Sequence, residues 1–512
     1  MGTGQLTKTE STSLEGTKYI DSRCIVEFRP DDNWDGEYGF DWFRLGIHGE
    51  QLVKGIGAPK TSNYYSLVGE YYPCDPDHET PNDNKFAHFY EDKHKIAIKK
   101  LFKNEYKTLI FKDDKFRKRY PDGKYIVPYV SLFPPLSLKE RIKIINYCKK
   151  NNLECDLKHC KSKATVKLYV HAENIEKIEF QCSNDAIAID NRVFFPTGNL
   201  NKEGFETTKI TITCEKEISE DVSVFAIAHH KDKNQTPTPT VAGKLIVVKS
   251  NPKILDVCMV NVAIKGEKNS FFYGECSDEV LNGFRKLLAQ AQIIPCTRKL
   301  KLDIDLNKFK SKYEDVVYKD ITPYFVVSNR VIKQISGLTI GYKIDNIFND
   351  DETCKKYKNK YKLFFTKLVC CKDDKTLGGF YIKESSFAFG QSSKGYNFRS
   401  AIIFENHSSS TVCHELFHCL GLHHSFSNEN IIENKSIIKE KTIMKTIMDF
   451  LLGEEKNIDI SYTYRQGKTS NIMDYPFDKE DNEKSNSFDL ISLWRWQWDI
   501  VNCKGVEIKK IF

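Results

Sequence analysis

Between residues 162 and 250 hydrophobic and polar side chains alternate. Val166, Leu168 and Val170 form one such run, Ile178 and Phe180 a second, Ile210 and Ile212 a third, and Val222, Val224 and Ala226 a fourth. Alternation of this kind predicts half-buried strands, and turn residues between the runs predict an antiparallel β-sandwich of immunoglobulin-like size. The Thr-Pro repeat between Gln235 and Thr240 reads as an exposed hairpin loop. From 251 the pattern lengthens. A strand from Ile254 to Ile264 leads to a helix opening at Ser277, with Val280, Phe284, Leu287 and Leu288 as its apolar stripe. Further strands are predicted at Leu300 to Leu306, Tyr324 to Val327, Lys362 to Cys370 and Ala401 to Phe404, which makes residues 251–512 an α/β domain. Residues 1–161 have a less regular, mixed α/β pattern. They contain the aromatic group Glu37 to Arg44 and a helix-prone stretch carrying Lys95, Lys99, Lys100, Lys103 and Lys107, which we read as a solvated face. Pro134-Pro135 then precedes a predicted helix, Leu138 to Tyr147.

Composition narrows the function classes. The chain has 512 residues, 40% hydrophobic and 29% charged, with a formal net charge of +7. So weak an excess over this length does not suggest nucleic-acid binding. No apolar run approaches 18 residues, so no membrane span is expected. Met1 to Thr7 lacks the features of a secretory signal, and the expectation is synthesis in the cytoplasm and export, if any, by a dedicated secretion system. Sixteen cysteines in such a chain are too sparse for a disulfide framework, and most are expected to be reduced.

The chemistry concentrates in His414-Glu-Leu-Phe-His-Cys-Leu-Gly-Leu-His-His424. On a helix, His414 and His418 stand on one face within reach of a single ion. Neutral imidazoles suit Zn²⁺, and Glu415 beside the first ligand can reach a metal-activated water. Gly421 permits a sharp turn, after which His424 returns as third ligand; His423 competes for that role, but the spacing favours His424. The plain alternative is a helix with core histidines. One catalytic Zn²⁺ is expected, while no motif supports a structural Ca²⁺.

These residues, His414-Glu415-x-x-His418-x-x-Gly421-x-x-His424, resemble the zinc signature of the metzincin metallopeptidases. Ser470-Asn-Ile-Met473-Asp-Tyr475 is similar to the clan's Met-turn, whereas Thr446-Ile-Met448-Asp lacks the tyrosine and reads as helix core. The resemblance covers about 251–512. It implies an α/β domain with a mixed sheet and an active-site helix, Met473 packed beneath the metal, Glu415 as general base, and Tyr475 as a hydrogen-bond donor to the developing oxyanion. It also implies a polypeptide substrate laid along an edge strand upstream of the helix, here within Leu377 to Phe389. A looser resemblance links the Phe-Asp-Trp segment, the β-sandwich and the ending Trp494-Arg-Trp-Gln-Trp498 to large bacterial metzincin-type proteins associated with type VI secretion. That likeness implies a secreted effector whose residues 1–161 dock on secretion-apparatus components, or act as a prodomain. Cys74 is a candidate for a latency thiolate, with an ordinary loop cysteine as the alternative. The ending is expected to be a helix from near Ser487 whose tryptophans pack the core. Two other functions compete: a delivery component with a vestigial peptidase domain, and a zinc hydrolase of a non-protein amide.

Overall fold

The computed structural model describes residues 14, 16–21, 23–45, 68–69, 101–103, 105–111, 120, 123–201, 204–231, 239–265, 271–305, 324–327, 330–334, 337–367, 369–374, 379–384, 386–389, 399–404, 409–422, 463–464, 471–473 and 492–508. Its fold is mixed α/β: several sheets with few helices. No described helix is long and apolar enough to cross a membrane.

Two sheets share one apolar core. The first is antiparallel and runs in the order Ile187–Ile189, Glu206–Cys214, Lys163–Ala172, Cys24–Pro30. The second runs Val193–Phe194, Ile175–Cys182, Val222–His230, Thr240–Val247, Tyr129–Ser131, Gly39–Asp41. Val166, Leu168 and Val170 from one sheet meet Val224, Ala226 and Ala228 from the other, with Phe28 edge-on to Phe180 at 6.4 Å. The alternation in the sequence therefore marks the inner faces. One strand departs from it. Val222–His230 is buried on both sides, because Phe225 and Ile227 face a second core that includes Tyr125 and Tyr129. The sheets also cross the expected boundary at residue 161. Cys24–Pro30 pairs along its whole length with 166–172, and Gly39–Asp41 pairs with Tyr129–Ser131. Part of the N-terminal region is thus built into these sheets.

The second half is organised on one mixed sheet. Its five main strands are β1 (Lys253–Lys265), β2 (Ile293–Asp305), β3 (Tyr361–Phe365), β4 (Ser386–Phe389) and β5 (Ser400–Ile403), and two short strands, Phe271–Tyr273 and Val506–Glu507, pair antiparallel with the ends of β1. The main strands run in the order β2-β1-β3-β5-β4, and among them every neighbouring pair is parallel except the last. The sequence places β2 at Leu300, but it begins seven residues earlier and contains Pro295. Proline is tolerated there because β2 is an outer strand. The predicted strand Lys362 to Cys370 is two strands instead, since Val369–Asp374 joins a different sheet.

Helices cover both faces of the mixed sheet, as near-continuous apolar strands require. The described helices are α1 (Leu138–Lys150), α2 (Asp278–Ala289), α3 (Gly337–Asp350), α4 (Ser409–Cys419) and α5 (Arg495–Cys503). Leu255, Val257 and Met259 face a core with Phe284, Leu288, Val412 and Leu416 of α2 and α4. Cys258, Val260 and Val262 face Ile344 and Phe348 of α3. Helix α2 opens as the sequence predicts: the Ser277 side chain accepts from the Val280 amide. Gly283 lets α2 approach α4, for a Cβ there would lie 2.5 Å from Ser409.

Helix α5 starts at Arg495 rather than near Ser487, because Ser492 forms a bridge with Asn471. Its first amide, Arg495 N–H, donates to Asp41 Oδ2 at 2.9 Å, so a residue from the N-terminal region caps the C-terminal helix. Burial raises the Asp41 carboxyl from 3.8 to about 6, against the opposing pull of Arg495 N–H, the Tyr106 hydroxyl and Arg44. An aspartate raised on folding adds stability below pH of about 4 and loses it as pH rises through about 6. The difference is worth about 3 kcal/mol. Urea unfolding of wild type and Asp41→Asn from pH 4 to 7 should show that slope in the wild type alone. Parallel curves would mean that the carboxyl is not buried in its charged form.

Candidate active site

Helix α4 carries the first two predicted ligands and the predicted base. His414 and Glu415 are buried, and Val412, Cys413, Leu416 and Phe417 anchor the helix in the core. His414 Nδ1 lies 2.7 Å from the carbonyl of Ile472, and His418 Nδ1 lies 2.8 Å from the carbonyl of Leu422. A carbonyl oxygen can only accept, so each Nδ1 carries the proton. Burial pushes His414 down to about 4, which keeps this imidazole neutral at ordinary pH. Each Nε2 then presents a lone pair, and the two Nε2 atoms face each other at 3.0 Å. The rings stand at 85° to one another. Two lone pairs aimed at one point repel unless a cation lies between them. Zn–N bonds of about 2.0–2.1 Å in a tetrahedron place neighbouring nitrogens about 3.3 Å apart. The donor set therefore fits zinc on chemistry and on spacing.

Gly421 sets the second histidine. It has φ +95°, and Gly421 N–H donates to His418 O while Leu422 N–H donates to Phe417 O. This pair of bonds closes the helix in a Schellman turn. The same turn delivers the Leu422 carbonyl to His418 Nδ1. A Cβ at 421 would meet only Lys504 Cε, at 3.8 Å, so there is room for one; the backbone is what demands glycine. Gly421→Ala is expected to cost about 1–2 kcal/mol of stability and to weaken zinc retention by disturbing that carbonyl. Thermal unfolding and chelator competition would measure both. Retention unchanged alongside lowered stability would detach the turn from the metal site.

The segment carrying Met473 is held from outside the helix. Met473 is fully buried in the core that contains α4, and its amide donates to Asn471 Oδ1 at 2.9 Å. Asn471 Nδ2 donates to Gln497 Oε1 at 2.7 Å, and Gln497 Nε2 returns a bond to Asn471 Oδ1 at 3.3 Å. Gln497 Oε1 also accepts from the Trp494 amide at the start of α5. This side-chain amide pair fixes the 471–473 turn, and with it the Ile472 carbonyl that aims His414. Gln290, fully buried at the end of α2, accepts from Leu493 N–H and donates to the Gly36 carbonyl. The tryptophans do what the sequence suggests: Trp494 and Trp498 are buried and Trp496 packs against the same core.

A second group of ligand-type side chains lies elsewhere. Cys148, Cys155 and Cys296 place their sulfurs within 4.8 Å of one another, an arrangement that can hold a metal ion. Cys148 and Cys296 are buried, with Sγ–Sγ 3.3 Å. Hydrogen bonding with Cys148 and Cys296 pulls the Cys155 thiol below its ordinary range, with help from the Arg285 charge. The cysteines whose side chains are described are free thiols.

The structure brings His414, Glu415, His418, Gly421 and Met473 into one neighbourhood. His424, Tyr475, the competitor His423, Met448 and Cys74 lie outside the described residues. Sequence reasoning missed Asn471, Gln497 and Gln290, whose partners are distant in the chain, and it missed the cysteine trio. No protein-family model matches the chain, and no curated protein matches it.

Proposed function

We propose that this chain is a zinc-dependent endopeptidase of metzincin type. In this reading His414, His418 and His424 hold one catalytic ion, residues 251–512 form the metzincin-like domain, and the two packed sheets are an immunoglobulin-like sandwich. The observation that carries it is the convergence of two Nε2 lone pairs at 3.0 Å while both Nδ1 protons are committed to carbonyls. Bound zinc would supply Lewis acidity, polarising the scissile carbonyl and acidifying water. The chain's own residues do the rest. Glu415 takes the proton from the attacking water and passes it to the leaving amine. The Tyr475 hydroxyl donates to the developing oxyanion. Ile472 and Leu422 keep the imidazoles in one tautomer through turnover.

The substrate's place is the edge of the mixed sheet. β4 is the outer strand beyond β5, it lies against α4, and it falls inside the range the resemblance gives. An extended polypeptide adds to such an edge by main-chain hydrogen bonds, which favours peptides over small amides. Export by a dedicated secretion system belongs to the same proposal. Zinc-loaded protein should release new amino termini from an unfolded protein and none from peptidoglycan fragments. The opposite preference would support the non-protein amidase, and inertness toward both would leave the delivery role.

A further inference from the structure

We infer that Cys148, Cys155 and Cys296 form a second metal site, a three-thiolate site for a zinc-like d¹⁰ ion that staples α1 and the loop after it to strand β2. The three sulfurs come from separate segments that the backbone brings together. Helix α1 ends at Lys150, and the chain turns back through Asn152 at φ 52°, with Leu153 N–H donating to Cys148 O. Glu154 then exchanges both backbone hydrogen bonds with Thr297 of β2, at 2.7 and 2.8 Å. In an antiparallel bridge the next residue on one chain faces the preceding residue on the other, so Cys155 falls opposite Cys296. Cys148 comes in from the helix end, 3.3 Å from Cys296.

The spacing suits a metal better than a disulfide. Zn–S bonds of about 2.3 Å in a tetrahedron separate sulfurs by about 3.8 Å, which sulfurs already within 4.8 Å reach by small side-chain adjustments. A disulfide between Cys148 and Cys296 would need about 2.05 Å and would leave Cys155 out. Charge supports the same reading. Three thiolates and Zn²⁺ sum to one negative charge. The positive charge of Arg285 favours the thiolate of Cys155, and its buried Nε–H has no hydrogen-bond partner among the described residues. A buried guanidinium N–H left in that condition is costly, and an anionic metal–thiolate group nearby compensates it. Binding exchanges protons for metal: each thiol still protonated gives its proton to water, and no oxidation state changes. With three sulfurs grouped there, a solvent molecule would supply the fourth donor.

The site does not depend on the histidine centre, and one experiment separates them. The full chain, purified under reductant, is loaded with Zn²⁺ or Co²⁺. Wild type should bind two zinc ions, His418→Ala one and Cys296→Ser one. The cobalt form should show a thiolate-to-metal charge-transfer band that persists in His418→Ala and disappears in Cys296→Ser. Should Cys296→Ser fail to fold, the half-buried Cys155→Ser gives the same readout, and the wild-type band stands by itself. Cobalt-loaded wild type without that band would overturn the proposal. So would a Cys148–Cys296 disulfide, seen as a mass lower by two hydrogens in protein never exposed to oxidant. A band with hydrolysis absent would keep the thiolate site and remove only the peptidase.

Discussion

Glu415→Gln is expected to retain its histidine-bound zinc while hydrolysis of an unfolded protein falls by about 10²–10⁴-fold, the typical worth of a positioned base. The substitution keeps size and hydrogen-bonding capacity at a buried position of α4, so the helix should survive it. His418→Ala should lose the metal instead, because two remaining imidazoles hold zinc poorly. It also frees the Leu422 carbonyl at the end of the helix. The two variants thus separate base from ligand: one loses turnover with metal in place, the other loses metal first. Equal zinc loss in both would make Glu415 a ligand. Equal activity in both would remove the site from the chemistry.

Gln497→Leu should lower both the stability of the chain and the zinc affinity of the histidine pair. It removes the Oε1 acceptor shared by Asn471 Nδ2–H and the Trp494 amide and puts an apolar side chain in its place, at a cost of about 1–3 kcal/mol. It also loosens the turn whose Ile472 carbonyl holds His414 Nδ1. Changes in partners of this kind typically lower metal affinity by about 10–100-fold. Denaturant unfolding and competition with a chelator would measure the two losses together. A stability loss with unchanged zinc affinity would make the amide pair a helix cap and nothing more.

The histidine cluster is legible in the sequence because its geometry is local. Two side chains four residues apart on a helix must share a face, and Gly421 has a single backbone reason to be where it is. The inner strand faces are legible for a similar reason, since period two needs only the neighbours along one strand. What the sequence hides is tertiary. Asn471 and Gln497 are 26 residues apart, and Cys148 and Cys296 are 148 apart. No periodicity links either pair. Val222–His230 looks one-sided until a second core covers Phe225 and Ile227.

The N-terminal region hides most. The looser resemblance makes residues 1–161 a docking part or a prodomain, yet 24–30 and 39–41 complete the two packed sheets, and Asp41 caps the helix that carries Gln497. Removing that region would strip edge strands and a buried cap from the rest of the chain. A docking role for it therefore calls for surface substitutions rather than truncation.

Anomalous diffraction at the zinc edge tests by position whether α4 is a zinc-binding helix. Crystals of zinc-loaded protein should show a peak between His414 Nε2 and His418 Nε2, about 2.0–2.1 Å from each. Zinc present in the crystal, even at the cysteine trio, with no peak between those two imidazoles would mean that α4 does not bind zinc.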